Sequence, residues 1–325
     1  MSWDAEVQVA LAAVRQAATV CRAVQRDVDP LTLEKKDRSP VTVADFASQA
    51  LVARALLDAF ADDALVGEED AAALREPANA ERRAQVHGRV AAIVDAREDD
   101  VLRWIDHGQG DASQARRWVL DPVDGTKGFL RGEQYAVALA LLVDDAVEVA
   151  VLGCPNLPLR ADAGAPVGTA FVAVRGQGAQ VAPLFDDAKP QPIRVSARAD
   201  LSTVRLCESV ESGHSAHDLS AQVVERLGLR AEPVRLDSQA KYGVVARGDA
   251  ELYLRLPTRK DYVEKIWDHA AGACVVQEAG GTVTDVDGRP LDLGHGRHLA
   301  QNRGIVASHG PHHARVLETL RALNI

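Results

Sequence analysis

The chain has 325 residues, 47% of them apolar and 26% charged, with a formal net charge of −10. Such a length and composition describe a globular protein with a sizeable core, built as one large α/β domain or as two domains. An acidic chain offers no basic field to a nucleic-acid polymer or an anionic membrane, and both are excluded as expected partners.

Cys21, Cys154, Cys207 and Cys274 are scattered, with no Cys-x-x-Cys pair. They read as reduced intracellular thiols rather than a disulfide framework or a zinc ribbon. The opening MSWDAEVQVALAAV is acidic and amphipathic and does not fit a secretion signal. No apolar run reaches the roughly 18 residues of a membrane-spanning helix, and the expected location is the cytoplasm.

Val7, Leu11, Val14, Ala18, Cys21 and Val24 recur at helical spacing and predict an amphipathic helix over 4–27. After the polar DVDPLTLEKKDRSPVT, the stretch ADFASQALVARALLDAF predicts a second helix, preceded by Thr42-Val43-Ala44-Asp45 in capping-box spacing. Residues 70–117 are rich in Ala, Arg, Glu and Asp and read as a solvated helical or loop insertion. At Trp118 the period changes. RWVLD, YAVALALLV, VEVAVLGCP, GTAFVAVRG and GAQVAPL are short β-rich runs parted by turns such as Asp144-Asp145, and they predict a mostly antiparallel meander. Gly176-Gln177-Gly178 reads as a hairpin turn, since no G-x-G-x-x-G opens a helix there. The Pro-bearing FDDAKPQPIRV divides an α+β domain at 1–188 from an α/β domain at 189–325. In the second domain TVRLCES, AELYLRL, GTVTDVDG and GIVAS read as strands, alternating with helices near 215–227, near 266–279 and from Pro311 onward.

In WVLDPVDGTKGFLRG, Asp121 ends an apolar run and Asp124 follows one turn later, so both carboxylates can converge beyond a sheet edge. Hard divalent cations take oxygens from carboxylates, main-chain carbonyls and water, and the Val123 carbonyl lies between the two acids. An ordinary turn, with the Asp side chains on nearby N–H groups, accounts for the same residues. Glu68 in LVGEED and Asp268 in EKIWDHAAG stand at similar element ends. Asp268 also suits a helix N-terminus, and Asp45 the capping box. Four acid-bearing element ends in one chain fit a metal site better than four coincidences.

Asp121-Pro-Val-Asp-Gly-Thr126, Gly67-Glu68-Glu69 and Trp267-Asp268 together resemble the metal-site motifs of the inositol monophosphatase superfamily, lithium-sensitive and magnesium-dependent phosphatases. SPVTVADFASQ, DGTKGFLRGEQYAVALALL, SGHSAHD, LDSQAKY, YLRLP and EKIWDHAAG narrow the resemblance to its 3′(2′),5′-bisphosphate nucleotidase branch, over about residues 4–308. The departures are small: Val123 where Ile is commoner, Glu133 after Arg131-Gly132, and GEED in place of GEES.

The resemblance implies an α/β fold, an α+β half followed by an α/β half, in an inositol monophosphatase/fructose bisphosphatase-like αβαβα layered sandwich. It implies two or three Mg²⁺ ions held by Glu68, Asp121, Asp124 and Asp268, with the Val123 carbonyl on one ion. Asp45 would hydrogen-bond Thr126, and that pair, with Glu68, would activate the attacking water. Gly125 and Thr126 would meet a phosphate oxygen, His214 the base or ribose with Gly213 allowing close approach, Ser238 and Lys241 the 5′-phosphate, and Arg255 the base or phosphate, with Asp268 also at the substrate. Singly, Lys241 and Arg255 read as surface charges and His214 as a loop histidine.

His295, His298, His309, His312 and His313 crowd the C-terminal region without a nearby cysteine or a helical His-x-x-x-His spacing. They read as solvated loop histidines rather than a zinc site. The expected reaction is removal of the 3′-phosphate of 3′-phosphoadenosine 5′-phosphate, giving AMP and phosphate, with the 5′-phosphosulfate analogue as a second candidate and a place in sulfur metabolism. Inositol mono- or bisphosphates are the alternative substrates, and a catalytically silent nucleotide- or metal-sensing module is the alternative class. The complete set of Asp45, Glu68, Asp121, Asp124, Thr126 and Asp268 argues against a silent module. The oligomeric state is left open.

Overall fold

The computed structural model describes residues 2–27, 39–162, 164–210, 217–257 and 262–325, with all of their side chains except those of 39–41 and 217. Helix α1 (Asp4–Arg26) buries Ala10, Val14, Ala17, Cys21 and Val24 along one face, as the spacing predicts. Helix α2 (Ser39–Ala59) packs against it. It starts earlier than expected, because Ser39-Pro40 is itself a helix-start signal and Pro is tolerated in the first turn. Thr42 and Asp45 therefore lie inside α2, and the capping-box reading of Asp45 is wrong.

Strand β1 (Ala64–Gly67) is followed by helices α3 (Ala72–Arg75), α4 (Ala80–Ala91) and α5 (Glu98–His107). These helices correct the solvated-insertion reading of 70–117. Their few apolar residues are spaced to share faces, and Leu74, Val86, Val90, Val101, Leu102 and Ile105 join the same core as α1 and α2. Low apolar content concealed a regular stripe.

Next come β2 (Arg116–Asp124), α6 (Thr126–Leu130), β3 (Ala136–Val143), β4 (Ala146–Pro158), β5 (Val167–Val174), β6 (Gly178–Pro183) and β7 (Gln191–Ile193). With β1 they form a seven-stranded sheet in sequence order, antiparallel except for the parallel β1–β2 pair. The expected meander is present. Asp144 and Asp145, both at positive φ, make the tight β3–β4 turn. β7 holds the chain in this sheet as far as Ile193, past the boundary expected at 188.

The second half contains β8 (Leu206–Glu208), α7 (His217–Leu227), β9 (Val234–Arg235), α8 (Ala240–Ala246), β10 (Leu252–Arg255), α9 (Ala270–Glu278), β11 (Thr282–Thr284), β12 (Ile305–Ser308) and α10 (His313–Ala322). Its five-stranded sheet runs β11-β12-β10-β8-β9, with parallel β10–β8 and β8–β9 pairs and antiparallel β10–β12 and β11–β12 pairs. The short helices α6 and α8 have no counterpart in the sequence reading, since one or two turns carry too few residues to show a period.

Three apolar clusters define the layers. One joins α1 and α2 to one face of the larger sheet. The second joins the other face of that sheet to α8, α9 and the smaller sheet. The third covers the far face of the smaller sheet with α7 and α10. The order is αβαβα, and it explains why β3, covered on both sides, is an almost unbroken apolar run. The buried guanidinium of Arg117 adds a polar tie between the halves, donating to Asp145 Oδ1 at 2.8 Å and to the Leu293 carbonyl at 2.9 Å.

The histidine reading needs correction. His309 and His313 are buried; His313 is hydrogen-bonded to Thr284 Oγ1 and Ser308 Oγ, and His309 Nδ1 lies 3.1 Å from the Ser196 carbonyl. His295 is exposed, as expected. All four cysteines are free and buried. Among the described residues no helix is long and apolar enough to cross a membrane.

Ile105→Ala tests the correction at 70–117. A fully buried Ile should cost about 2–5 kcal/mol of unfolding free energy in a denaturant titration. A solvated insertion would lose no more than about 0.5 kcal/mol.

Candidate active site

β2 pairs regularly with β3 as far as Asp121, and the register then shifts between Asp121 and Asp124. Pro122 has no N–H to give the ladder, so this is where the strand can leave the sheet. The departing turn is pinned by Ser48 Oγ, which donates to the Pro122 carbonyl at 2.9 Å, and by the Val123 N–H, which donates to Asp121 Oδ1 at 3.2 Å. Gly125 follows at φ +90, and a Cβ there would lie 2.9 Å from Ser238 Cβ. Only glycine suits both the left-handed backbone and the close approach.

Glu68 leaves the end of β1 over the carboxamide of Gln49, which is fully buried on α2. Gln49 Oε1 accepts from the Glu69 N–H at 3.0 Å, and its Nε2 donates to the Glu69 and Ile105 carbonyls at 2.6 and 2.8 Å. A Cβ on Gly67 would come within 2.4 Å of Gln49 Oε1, so the GEED loop needs its glycine. Asp268 sits in the turn just before α9. There Gln239 acts as a three-way tie: its N–H donates to Asp124 Oδ2, its Nε2 to the Trp267 carbonyl at 2.8 Å, and its Oε1 accepts from the Gly272 N–H at 3.1 Å. The sequence reading assigned no role to Gln49 or Gln239. A glutamine among the apolar residues of α2 was the available signal for Gln49, since a buried amide must find partners; Gln239, in Asp237-Ser238-Gln239 ahead of α8, carried no such signal.

These segments enclose a cavity of about 380 Å³. Glu68, Asp121, Val123, Asp124, Gly125 and Thr126 line it from the first half, and Ser238, Lys241, Arg255 and Asp268 from the second. Lys127, Tyr253 and Tyr262 complete much of the wall. Asp45 does not line the cavity, and it is not hydrogen-bonded to Thr126 as expected. It lies on α2, a different element from the wall, where burial and then the charges of Glu69 and Glu68 push it well above the usual carboxylate range. His214 and Gly213 fall outside the described residues.

The acids oppose one another. Burial, then the charges of Glu68, Asp124, Asp268 and Asp45, push Asp121 well above the usual carboxylate range. Burial, Glu69 and Asp124 raise Glu68 to about 7, against Lys265 and Arg297. Glu68 is exposed and lines the cavity. Burial likewise raises Asp268 to about 7, opposed by His269 and Arg255 and reinforced by Asp124 and Glu68. Asp124 is raised by burial, with Lys241, the Gln239 N–H and Arg255 acting the other way.

Among the described residues Glu68, Asp121 and Asp124 make no ion pair, and Asp268 is 4.0 Å from Arg255 Nη2. Four mutually repelling carboxylates lining one cavity with Val123, three of them without an ion pair among the described residues, are a donor set for hard divalent cations. Glu264, Asp268 and His269 also lie close together, but Glu264 and His269 are already engaged. Glu264 accepts from Arg255 Nε at 2.8 Å and pairs with His269 Nε2 at 3.1 Å, and His269 Nδ1 meets the Tyr242 hydroxyl at 2.7 Å. Burial alone would raise Glu264; His269 and Arg255 outweigh it and hold the group near 2. This is a buried network bracing Arg255.

The profile of the inositol monophosphatase family matches residues 3–324. The chain belongs to that family. Family members of known structure share its architecture: an inositol monophosphatase from Zymomonas mobilis superimposes with a TM-score of 0.66 at 20% identity, covering 99% of both chains. The Thermotoga maritima enzyme gives 0.65 at 20% identity, covering 98% of both. At that identity the likeness concerns the fold, and it agrees with the αβαβα layering. Curated relatives named 3′(2′),5′-bisphosphate nucleotidase are nearer in sequence. One from Emericella nidulans is 42% identical over 95% of this chain and 95% of its own. One from Schizosaccharomyces pombe is 40% identical over 99% and 97%, and one from Oryza sativa 44% over 94% and 90%.

The raised acids set a pH dependence. Glu68 and Asp268 bind protons more tightly in the folded chain than ordinary carboxylates do. From about pH 4 to about pH 7 the folded state therefore holds more protons than the unfolded, and stability without metal falls as pH rises through that window. The expected Tm of chelator-treated protein is lower at about pH 8 than at about pH 5, and Mg²⁺ raises Tm more at the higher pH. A Tm that rose across this range, with no Mg²⁺ effect, would contradict the carboxylate cluster.

Proposed function

We propose that the protein is a Mg²⁺-dependent phosphatase that removes the 3′-phosphate of 3′-phosphoadenosine 5′-phosphate, giving AMP and phosphate, with the 5′-phosphosulfate analogue as a second substrate. The observation that carries this reading is the state of Lys241. Its ammonium is buried, yet among the described residues its one hydrogen bond is to the Leu236 carbonyl at 3.4 Å; the Tyr253 ring lies 5.3 Å away, and Asp124 and Asp237 are the carboxylates that act on it. A lysine has three donors, so this one has donors to spare for an anion in the cavity it lines. Ser238 and Arg255 stand beside it. A cavity that offers carboxylates to cations and, on a second wall shared with Asp237, the side chains of Lys241 and Arg255 suits a substrate with two phosphate groups. An inositol monophosphate leaves the second wall unused, while Tyr253, Tyr262 and Leu130 offer surface to a base. The names of the close relatives point the same way.

The proposed ligands for two or three Mg²⁺ ions are Glu68, Asp121, Asp124 and Asp268, with the Val123 carbonyl. Bound Mg²⁺ lowers the pKa of an attacking water and neutralises charge on phosphate oxygens. Gly125 and Thr126 are proposed to present backbone N–H groups to the reacting phosphate, where the absence of a Cβ at 125 allows a close approach. Ser238 and Lys241 are assigned the 5′-phosphate, and Arg255 the base or phosphate. Ser238 is itself held at φ 71, a costly conformation for serine of the kind that clusters at ligand sites. Thr126 is proposed to hold the attacking water, and Asp45, with Glu68, to take its proton. Asp45 does not line the cavity, and a water or a side-chain rotation is proposed to link it to Thr126. The placement of His214 beside the base or ribose rests on the sequence. Free, buried cysteines suit the reducing cytoplasm proposed for the protein.

The test is phosphate release from a panel of 3′-phosphoadenosine 5′-phosphate, its phosphosulfate analogue and inositol mono- and bisphosphates, with Mg²⁺ or chelator. The expected nucleotide product is 5′-AMP, and inositol phosphates turning over at comparable or better rates would overturn the assignment. Asp121→Asn and Thr126→Ala should each lower kcat, the former by about a hundredfold or more. Full Mg²⁺-dependent turnover in either would refute the mechanism. Lys241→Gln should raise KM for the bisphosphate about tenfold or more, the scale of a lost charge-assisted contact, with a smaller effect on a nucleoside 3′-monophosphate.

A further inference from the structure

Asp268 and Glu68 come from opposite halves of the chain, and one side chain touches the neighbours of both. Residues 297–299 are strapped alongside 264–266: the Ile266 N–H donates to the Arg297 carbonyl at 3.2 Å, and the Leu299 N–H to the Glu264 carbonyl at 2.9 Å. Between them Lys265 and His298 form an antiparallel bridge, with Lys265 Nζ 2.7 Å from His298 Nε2. The backbone of Arg297 is thereby fixed to the segment that ends in Trp267-Asp268. Its guanidinium carbon lies 4.8 Å from the centroid of the Trp267 ring, and its Nη2 donates to the carbonyl of Gly67, the residue before Glu68. The Gly67 N–H is held from the other side by the Gly108 carbonyl at 2.7 Å.

We propose that Arg297 is a positioning residue that fixes the Glu68 segment against the Trp267-Asp268 segment and so sets the spacing of the divalent-cation ligands. It rests on the reading of Glu68 and Asp268 as cation ligands. The chemistry asks for arginine. A planar guanidinium can lie on an indole face and still donate in its own plane to a carbonyl, whereas a lysine ammonium offers one point and no plane. Lys265 illustrates the contrast: its ammonium lies 5.7 Å from the same ring and goes to His298 instead. The acceptor of Arg297 is a backbone carbonyl and not a ligand carboxylate, so the contact holds the loop and leaves Glu68 free to bind. Groups one bond removed from metal ligands typically govern affinity by orienting them.

The experiment is Mn²⁺ binding to the full chain without substrate, by calorimetry or by the EPR signal of free Mn²⁺, with Tm recorded in chelator. Arg297→Ala should bind Mn²⁺ about ten- to a hundredfold more weakly, the range for such supporting groups. KM for the nucleotide, measured at saturating metal, should be close to that of the parent. Arg297→Lys keeps the charge and the fold but loses the plane, and it should also bind more weakly than the parent. Parent-like Mn²⁺ affinity in Arg297→Ala, even with a lowered Tm, would overturn the proposal, as would full affinity in Arg297→Lys, which would assign the effect to charge alone. Glu68→Gln separates the two levels: unchanged affinity there overturns the ligand assignment and the proposal with it. Weakened affinity there beside parent-like Arg297→Ala overturns the proposal only.

Discussion

Like charges gathered in one cleft repel, and the fold has to hold Glu68, Asp121, Asp124 and Asp268 around a single cavity against that repulsion. It does so by carrying each acid at the end of a rigid element, where the backbone is committed before the charges meet. Glu68 follows β1, Asp121 and Asp124 close β2, and Asp268 precedes α9. The sheet interiors stay apolar and the unfavourable chemistry is confined to their ends. Burial and mutual repulsion both push these carboxylates toward protonation, so a bound divalent cation would relieve the fold as well as serve catalysis.

The cavity lies between the halves of the chain, so its geometry is only as good as their registration. The apolar layer shared by α8, α9 and both sheets sets the distance. Polar contacts of fixed direction set the register. Gln239 joins Asp124 to Trp267, Arg131 pairs with Asp237, and Arg117 reaches the Leu293 carbonyl. Two of these three ties touch a segment that carries a candidate ligand. A buried amide or guanidinium with several partners costs much when misplaced, so such groups select one arrangement of the halves where apolar packing tolerates several.

What could be read from the sequence follows from how local each signal is. The period of α1, the alternation of short strands after Trp118 and the DPVDGT turn are local, and each lies where expected. The convergence of Asp121, Asp124, Glu68 and Asp268 is not local; four acid-bearing element ends suggest it, the resemblance assigns the ligand roles, and all four line one cavity. The burial of the 70–117 helices escapes a reading that weighs composition over spacing: Val86 with Val90, and Val101 with Ile105, are enough to seat two helices. Asp45 was misplaced because a capping pattern is only a spacing, and Ser39-Pro40 started the helix first. Gln49, Gln239 and Arg297 act through backbone groups distant in sequence, and no spacing pattern announces such contacts.

The most direct measurement is a crystal structure of the protein with Mn²⁺, phased on the anomalous signal of the metal. The account predicts at least two anomalous peaks in the cavity, within about 2.0–2.3 Å of oxygens from Glu68, Asp121, Asp124 and Asp268, the range of hard-cation coordination. Carboxylates found instead in ion pairs with Lys241, Lys265 or Arg297, with no peak between them, would contradict it.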